Sequence, residues 1–187
     1  ETGYDFHDDI EVDDVDFIVK LVEYLQTTHN LSAENIFATG LSNGGDMCYM
    51  LACEAANTFK AIAPVAGMML ETITVECEVE NPMPVFEIHG TNDDVTYFEG
   101  DINNEDGWGA YPDIPTTIEF WVNANACTDL EIDTLPNISP NDGSYVISEK
   151  HLNGINGNEV WLYKIVNGEH DWPGAWGNMD ISASVEA

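Results

Sequence analysis

Three residues able to share a proton-transfer chain occur in a suggestive order: Ser42, Asp93 and His170. Ser42 lies in "GLSNG", residues 40–44, a Gly-x-Ser-x-Gly segment. The short β-rich run Ile36-Phe37-Ala38-Thr39 precedes it, and the helix-length run "GGDMCYMLACEAANTF" follows. Between a strand and a helix, that spacing is the pattern of a nucleophile elbow. A sharp turn strains the serine backbone, and small residues two before and two after let strand and helix pass closely. The serine oxygen then stands above the carboxyl end of a sheet. The backbone N–H of Asn43, at a helix N-terminus, is placed to hold an oxyanion. The other reading is a glycine-rich connection that serves chain geometry alone.

A serine nucleophile needs a base, and the base an orienting acid, in the chain order Ser, Asp/Glu, His. "PVFEIHGTNDDVTY" supplies a strand, a break at Gly90, and then Asp93 and Asp94 in a loop. Of the five histidines, His7 precedes the serine and His29 ends the first helix. His89 sits within a strand and reads as a packed or hydrogen-bonded core residue. His151 closes a later strand and reads as exposed. His170, in "NGEHDWPG" after the last strand, fits the base.

These residues need a frame to position them. Val12, Val15, Ile18, Val22 and Leu25 recur at steps of three and four, which predicts an amphipathic helix over residues 12–28. Asp13 and Asp14 suit its first turn, and Asn30 its end. "IFATG", "KAIAPVAG" and "MPVFEIHG" are short apolar runs bounded by Pro or Gly, as buried parallel strands tend to be. A further helix is expected from Ile114 to Ala126, with Pro115 in its first turn. "SYVISEKHL" and "NEVWLYKIV" flank "NGINGN" and predict a hairpin with a loose turn. Strands alternating with helices imply a mostly parallel sheet flanked by helices, in a single domain over residues 1–187.

Composition narrows the partners. Asp and Glu number 35 against 4 Lys, for a formal net charge of -31. Such a surface repels nucleic acid and anionic membranes, so neither is an expected partner. Self-repulsion of this size also favours a saline setting, where salt screens it. No run of 18 apolar residues occurs, so no transmembrane helix is expected. The four cysteines form no CxxC or zinc spacing. Cys48 and Cys53 share one predicted helix and read as buried thiols, whereas Cys77 and Cys127 lie in loop-like contexts and are the candidate pair for a disulfide if the protein is exported. "DINNEDG", residues 101–107, misplaces the glycine of a calcium loop, so neither metal nor cofactor is expected. The surrounding "YFEGDINNEDGWGAYPDIP", with Trp108 and Tyr111, is a candidate substrate-binding flap.

"TGLSNGGDMCYMLACE", "AIAPVAGMM", "PVFEIHGTNDDVTY", "FWVNANAC" and "GEHDWPG" together resemble the secreted α/β-hydrolase esterases of the polyhydroxybutyrate depolymerase and feruloyl/acetylxylan esterase group. The resemblance runs from about Asp13 to Gly174, with the motifs in the family's order. It implies Ser42 as nucleophile, Asp93 as acid, His170 as base and Trp172 as an active-site wall. Asp94 stands where relatives usually carry proline, which leaves Asp93 and Asp94 both open as the acid. The implied activity is cofactor-free hydrolysis of carboxylic esters by an extracellular enzyme. Because such enzymes begin with further strands, one of which supplies a second oxyanion donor, the resemblance implies an α/β-hydrolase fold truncated at the N-terminus and slightly at the C-terminus. The competing readings are a catalytically silent polysaccharide- or polymer-binding module of the same fold and a related serine peptidase.

Overall fold

A computed structural model describes residues 12–187. The first helix, α1 (Asp14–His29), starts where the Asp13 carboxylate accepts the Asp16 N–H at 2.7 Å, and stops at Asn30 in the left-handed region. Three parallel strands follow in chain order: β1 (Phe37–Leu41), β2 (Ala61–Val65) and β3 (Val85–Gly90). α2 (Asn43–Glu54) connects the first two and α3 (Glu71–Glu76) lies between the second and third. Then come α4 (Ile114–Asn125), capped by the Asp113 side chain, and the strands β4 (Asp129–Thr134), β5 (Tyr145–Leu152) and β6 (Val160–Val166). A short α5 (Ala183–Glu186) is the last element.

The six strands form one sheet in the order β1-β2-β3-β6-β5-β4. β6 returns parallel to β3, while β5 and β4 add an antiparallel margin. This is the α/β-hydrolase arrangement expected, mostly parallel and flanked by helices. The expected hairpin of residues 144–166 is β5–β6. α3 and β4 are not among the expected elements: α3 has only six residues, and β4, although Leu130 and Ile132 alternate with acids, is exposed throughout.

Burial explains the layering. Tyr49 and Ala52 of α2, Ile62 of β2, Val85 of β3, Trp121 of α4 and Leu162 of β6 share one core. Val65, Ile88, Tyr163 and Ile165 join Ile181 and Ala183 in another. α1 rests Val15, Ile18 and Val22 on a patch of Leu51, Ala55 and Phe59, without burying any residue of its own. Among the described residues, no helix is long and apolar enough to cross a membrane.

The cysteine pairing differs from expectation. Cys53 bonds Cys77, with Cα atoms 5.1 Å apart, while Cys48 and Cys127 are free. α3 delivers Cys77 to the end of α2, where Cys53 faces it. Cys48, one turn earlier, is buried against the sheet, and its thiol is pushed up to about 12 by burial, Glu87 and Asp46.

Candidate active site at the carboxyl ends of the parallel strands

Ser42 follows β1 directly and occupies the N-cap of α2 with φ 57° and ψ -123°. That conformation is costly for a residue with a Cβ and persists only where neighbours impose it. Here they do. The Ser42 N–H donates to the Val65 carbonyl of β2 at 2.9 Å, and the Ser42 carbonyl accepts from the Gly45 and Asp46 N–H groups at 2.7 and 3.0 Å. Two glycines make the turn possible: a Cβ on Gly40 would lie 2.5 Å from the Gly44 carbonyl carbon, and one on Gly45 would lie 2.9 Å from the Gly67 Cα. The Asn43 N–H, at the first position of α2, has no intrahelical acceptor by geometry and lies at the positive end of the helix dipole.

Asp93 and His170 meet from two different loops. His170 Nδ1 lies 2.8 Å from Asp93 Oδ2. Asp93 is buried, and its Oδ1 accepts the Val95 and Thr96 N–H groups at 2.9 and 2.7 Å. Asp94 is exposed, so the carboxylate that faces His170 belongs to Asp93. The loops are stitched together: Thr91 N–H donates to the Ile165 carbonyl, Asn92 N–H to the Gly168 carbonyl, and Asn167 N–H to Thr91 Oγ1. With Nδ1 engaged by the carboxylate, the ring is oriented and Nε2 is left as its other basic atom. His170 keeps 18% of its side chain exposed, enough to be reached from solvent.

Ser42, Asp93 and His170 therefore follow the carboxyl ends of β1, β3 and β6, the end of an open α/β sheet where ligands bind. A groove of about 440 Å³ lies elsewhere, at the starting ends of the strands, lined by Phe37, Ile62, Val85, Phe86 and Trp161 among others. It contains none of the three.

The other expected site residues fare differently. Tyr111 is buried in the core beside Phe98 and Ile114, and its hydroxyl accepts the Tyr97 N–H at 3.0 Å. Its ring is closed to a substrate, because a backbone bridge between Asp101 and Tyr111 folds the loop inward. Trp108, at the tip of the same loop, is 39% exposed. Trp172 is half-buried against the Val65–Ile88–Ile165 core, and its indole N–H donates to Ser184 Oγ at 2.9 Å. His29 is exposed, His151 is partly buried rather than exposed, and His7 lies outside the described residues.

Sequence reasoning missed Asp46 and Glu87. Asp46 is buried in the first turn of α2 and accepts the Met68 N–H at 2.7 Å, tying the elbow to the end of β2. An acid one turn after the serine was its only signal. Glu87, an acid inside the apolar run of β3, is fully buried.

A family model described as the prolyl oligopeptidase family matches residues 1–79. NocK of Nocardia uniformis subsp. tsuyamanensis, a candidate esterase, is 28% identical over 86% of this chain and 49% of its own length. Feruloyl esterase C of Emericella nidulans is 34% identical over 48% of this chain and 32% of its own. In sequence the chain is similar to esterases, and its mostly parallel sheet flanked by helices is the expected α/β-hydrolase arrangement. It spans about half or less of the length of these curated relatives. The solved structure of esterase PE8 aligns over 88% of this chain and 60% of its own, at 15% identity and a TM-score of 0.46.

Proposed function

We propose that this chain carries the catalytic centre of an extracellular serine esterase that works through an acyl-enzyme. The observation that carries the reading is the Asp93–His170 pair at 2.8 Å, at the same end of the sheet as the strained Ser42 elbow. His170 Nε2 takes the Ser42 proton as Oγ attacks the ester carbonyl, and Asp93 stabilises the imidazolium that forms. The Asn43 N–H donates to the oxyanion, and His170 returns the proton to the departing alcohol. Water then attacks the acyl-serine by the same route and releases the acid. Neither metal nor cofactor enters this scheme. The substrate classes that fit the relatives are feruloyl or acetyl esters of plant polysaccharide, with polyhydroxyalkanoate and short-chain esters beside them. Trp108 and Trp172 are the aromatic candidates for contact with the acyl or sugar part.

A fluorophosphonate probe tests the nucleophile: wild type is labelled and Ser42→Ala is not. Equal labelling of both would refute Ser42 as the nucleophile, and labelling of neither would favour a silent binding module. Rates on p-nitrophenyl acetate, methyl ferulate, acetylated xylan and polyhydroxybutyrate then rank the substrates. The match over residues 1–79 supports a second reading, a serine peptidase using the same three residues. Cleavage of peptide p-nitroanilides without cleavage of esters would favour it.

A further inference from the structure

β3 buries two ionisable side chains that the acyl-transfer scheme does not use. Glu87 and His89, two residues apart, point to the same face of the strand, and both side chains are wholly shielded from solvent. In a chain with 35 acidic residues, most can stay in water at little cost, whereas a buried carboxylate is strongly destabilising unless it is paired and fully hydrogen-bonded.

The partners determine where the protons sit. Glu87 Oε2 accepts the Tyr49 hydroxyl at 2.8 Å, the Gly67 N–H also donates to this carboxyl, and Oε1 lies 2.9 Å from His89 Nδ1. His89 Nε2 lies 2.8 Å from the Thr96 carbonyl and 3.6 Å from Asp93 Oδ2. A carbonyl can only accept, so Nε2 carries a hydrogen. The other two partners of Glu87 donate, as suits a carboxylate, and the pattern is completed when Nδ1 donates as well. Both ring nitrogens are then protonated.

We propose that Glu87 and His89 form a buried carboxylate–imidazolium pair that backs Asp93, with His89 acting as a positioning residue for the esterase reaction. The proposal rests on the reading of Ser42, Asp93 and His170 given above. Thr96 is the link: its carbonyl accepts from His89 while its N–H donates to Asp93 Oδ1 at 2.7 Å. One imidazole thus fixes the residue that fixes the acid, and sets a positive charge behind the carboxylate that faces His170.

The titration directions agree with a proton held tightly by the pair. Burial raises Glu87, against the hydrogen bonds of His89, Tyr49 and Gly67. Burial alone would lower His89, but the Glu87 hydrogen bond and charge, the Thr96 carbonyl and Asp93 bring it above the usual imidazole value. The ionisable groups around the pair are Asp46, Cys48 and Tyr49 of α2, Asp93 beyond β3, and Lys164, the register partner of His89 on β6, which is itself bonded to Glu149 at 2.8 Å. The Phe98 ring packs edge-on to His89 with centroids 6.0 Å apart.

Glu87→Gln tests the proposal in the full chain. Glutamine keeps the volume, still accepts from Tyr49 and can donate to Nδ1, so the hydrogen bonds survive while His89 becomes neutral. Nitrogen-15 NMR of the histidine rings at pH 7 should show His89 with both nitrogens protonated in wild type and only Nε2 protonated in the variant. Because the imidazolium lies nearer Asp93 than Glu87 does, losing it makes protonation of His170 easier. The acid limb of Ser42 labelling against pH should therefore move up by about half a unit, with kcat down about tenfold and KM within about twofold. A neutral His89 in wild type, the proton residing on Glu87, would overturn the proposal. An acid limb that stays in place while kcat falls would also overturn it, leaving only packing. The ring state is read without turnover, so absence of labelling in wild type counts against the Ser42 nucleophile and not against the ion pair.

Discussion

Gly90 lies against Gly168: a Cβ built on Gly90 would sit 2.4 Å from the Gly168 carbonyl oxygen and equally close to that of Glu169. The contact joins the end of β3 to the loop that carries His170, and it sets how near the acid and the base can come. Gly90→Ala must push the two loops apart, because the opposing atoms are backbone and cannot rotate away. We expect a destabilisation of about 1–3 kcal/mol, as for overpacked interiors. Activity should fall by about 10²-fold or more, since a displacement of about 1 Å at a reacting group has that effect. Melting curves and initial rates on p-nitrophenyl acetate check both. A variant with wild-type rates would show that the spacing of these loops is not critical.

Asp93 and Asp94 are adjacent carboxylates with different surroundings. Asp93 is buried and bonded to His170, Val95 and Thr96, whereas Asp94 faces solvent. Asp93→Asn leaves the shape of the site but offers His170 Nδ1 the wrong hydrogen-bonding partner, and turnover should drop by about 10⁴-fold. Asp94→Asn should stay within about twofold of wild type, as expected of an exposed side chain without a structural partner role. Comparable losses in both variants would make the acid a shared function of the two.

The contrast between Asp93 and Glu87 marks what a sequence can convey. Ser42, Asp93 and His170 stand in chain order after three apolar runs, and local pattern suffices to place each at a strand end. The helix-length runs that became α1, α2 and α4 were equally readable from their apolar spacing and caps. Glu87 was not, because its burial depends on Tyr49 arriving from α2, which strand periodicity does not encode. Tyr111 failed for the opposite reason: a polar loop predicts exposure, but the Asp101 bridge turns its ring inward. Cys77 found Cys53 only because the short α3 redirects the chain.

The Cys53–Cys77 bond closes a loop of 24 residues that includes β2 and α3. Its removal should cost about 2–4 kcal/mol. Cys53→Ser should lower the melting temperature by an amount that reductant reproduces in wild type, and reductant should then have no further effect on the variant. Cys127→Ser should leave the midpoint nearly unchanged. Non-reducing peptide mapping supplies the direct check; a Cys77–Cys127 peptide would contradict the pairing.

The Glu87–His89 pair also predicts how stability depends on pH. Both groups bind protons more tightly when folded than when unfolded, since both are raised by the fold. Their contribution is therefore fully present at low pH and is lost as pH rises, from the ordinary carboxyl range upward for Glu87 and through the raised folded value for His89. In Glu87→Gln the Glu87 charge is gone and burial, the largest influence on His89, lowers it against Thr96 and Asp93, so its contribution grows as pH rises to the ordinary imidazole range and is constant above it. Melting temperatures at pH 5 to 9 in high salt, which screens the charge of -31, should fall more steeply with pH in wild type than in Glu87→Gln. Parallel curves for the two proteins would show that the pair does not bind its proton more tightly on folding.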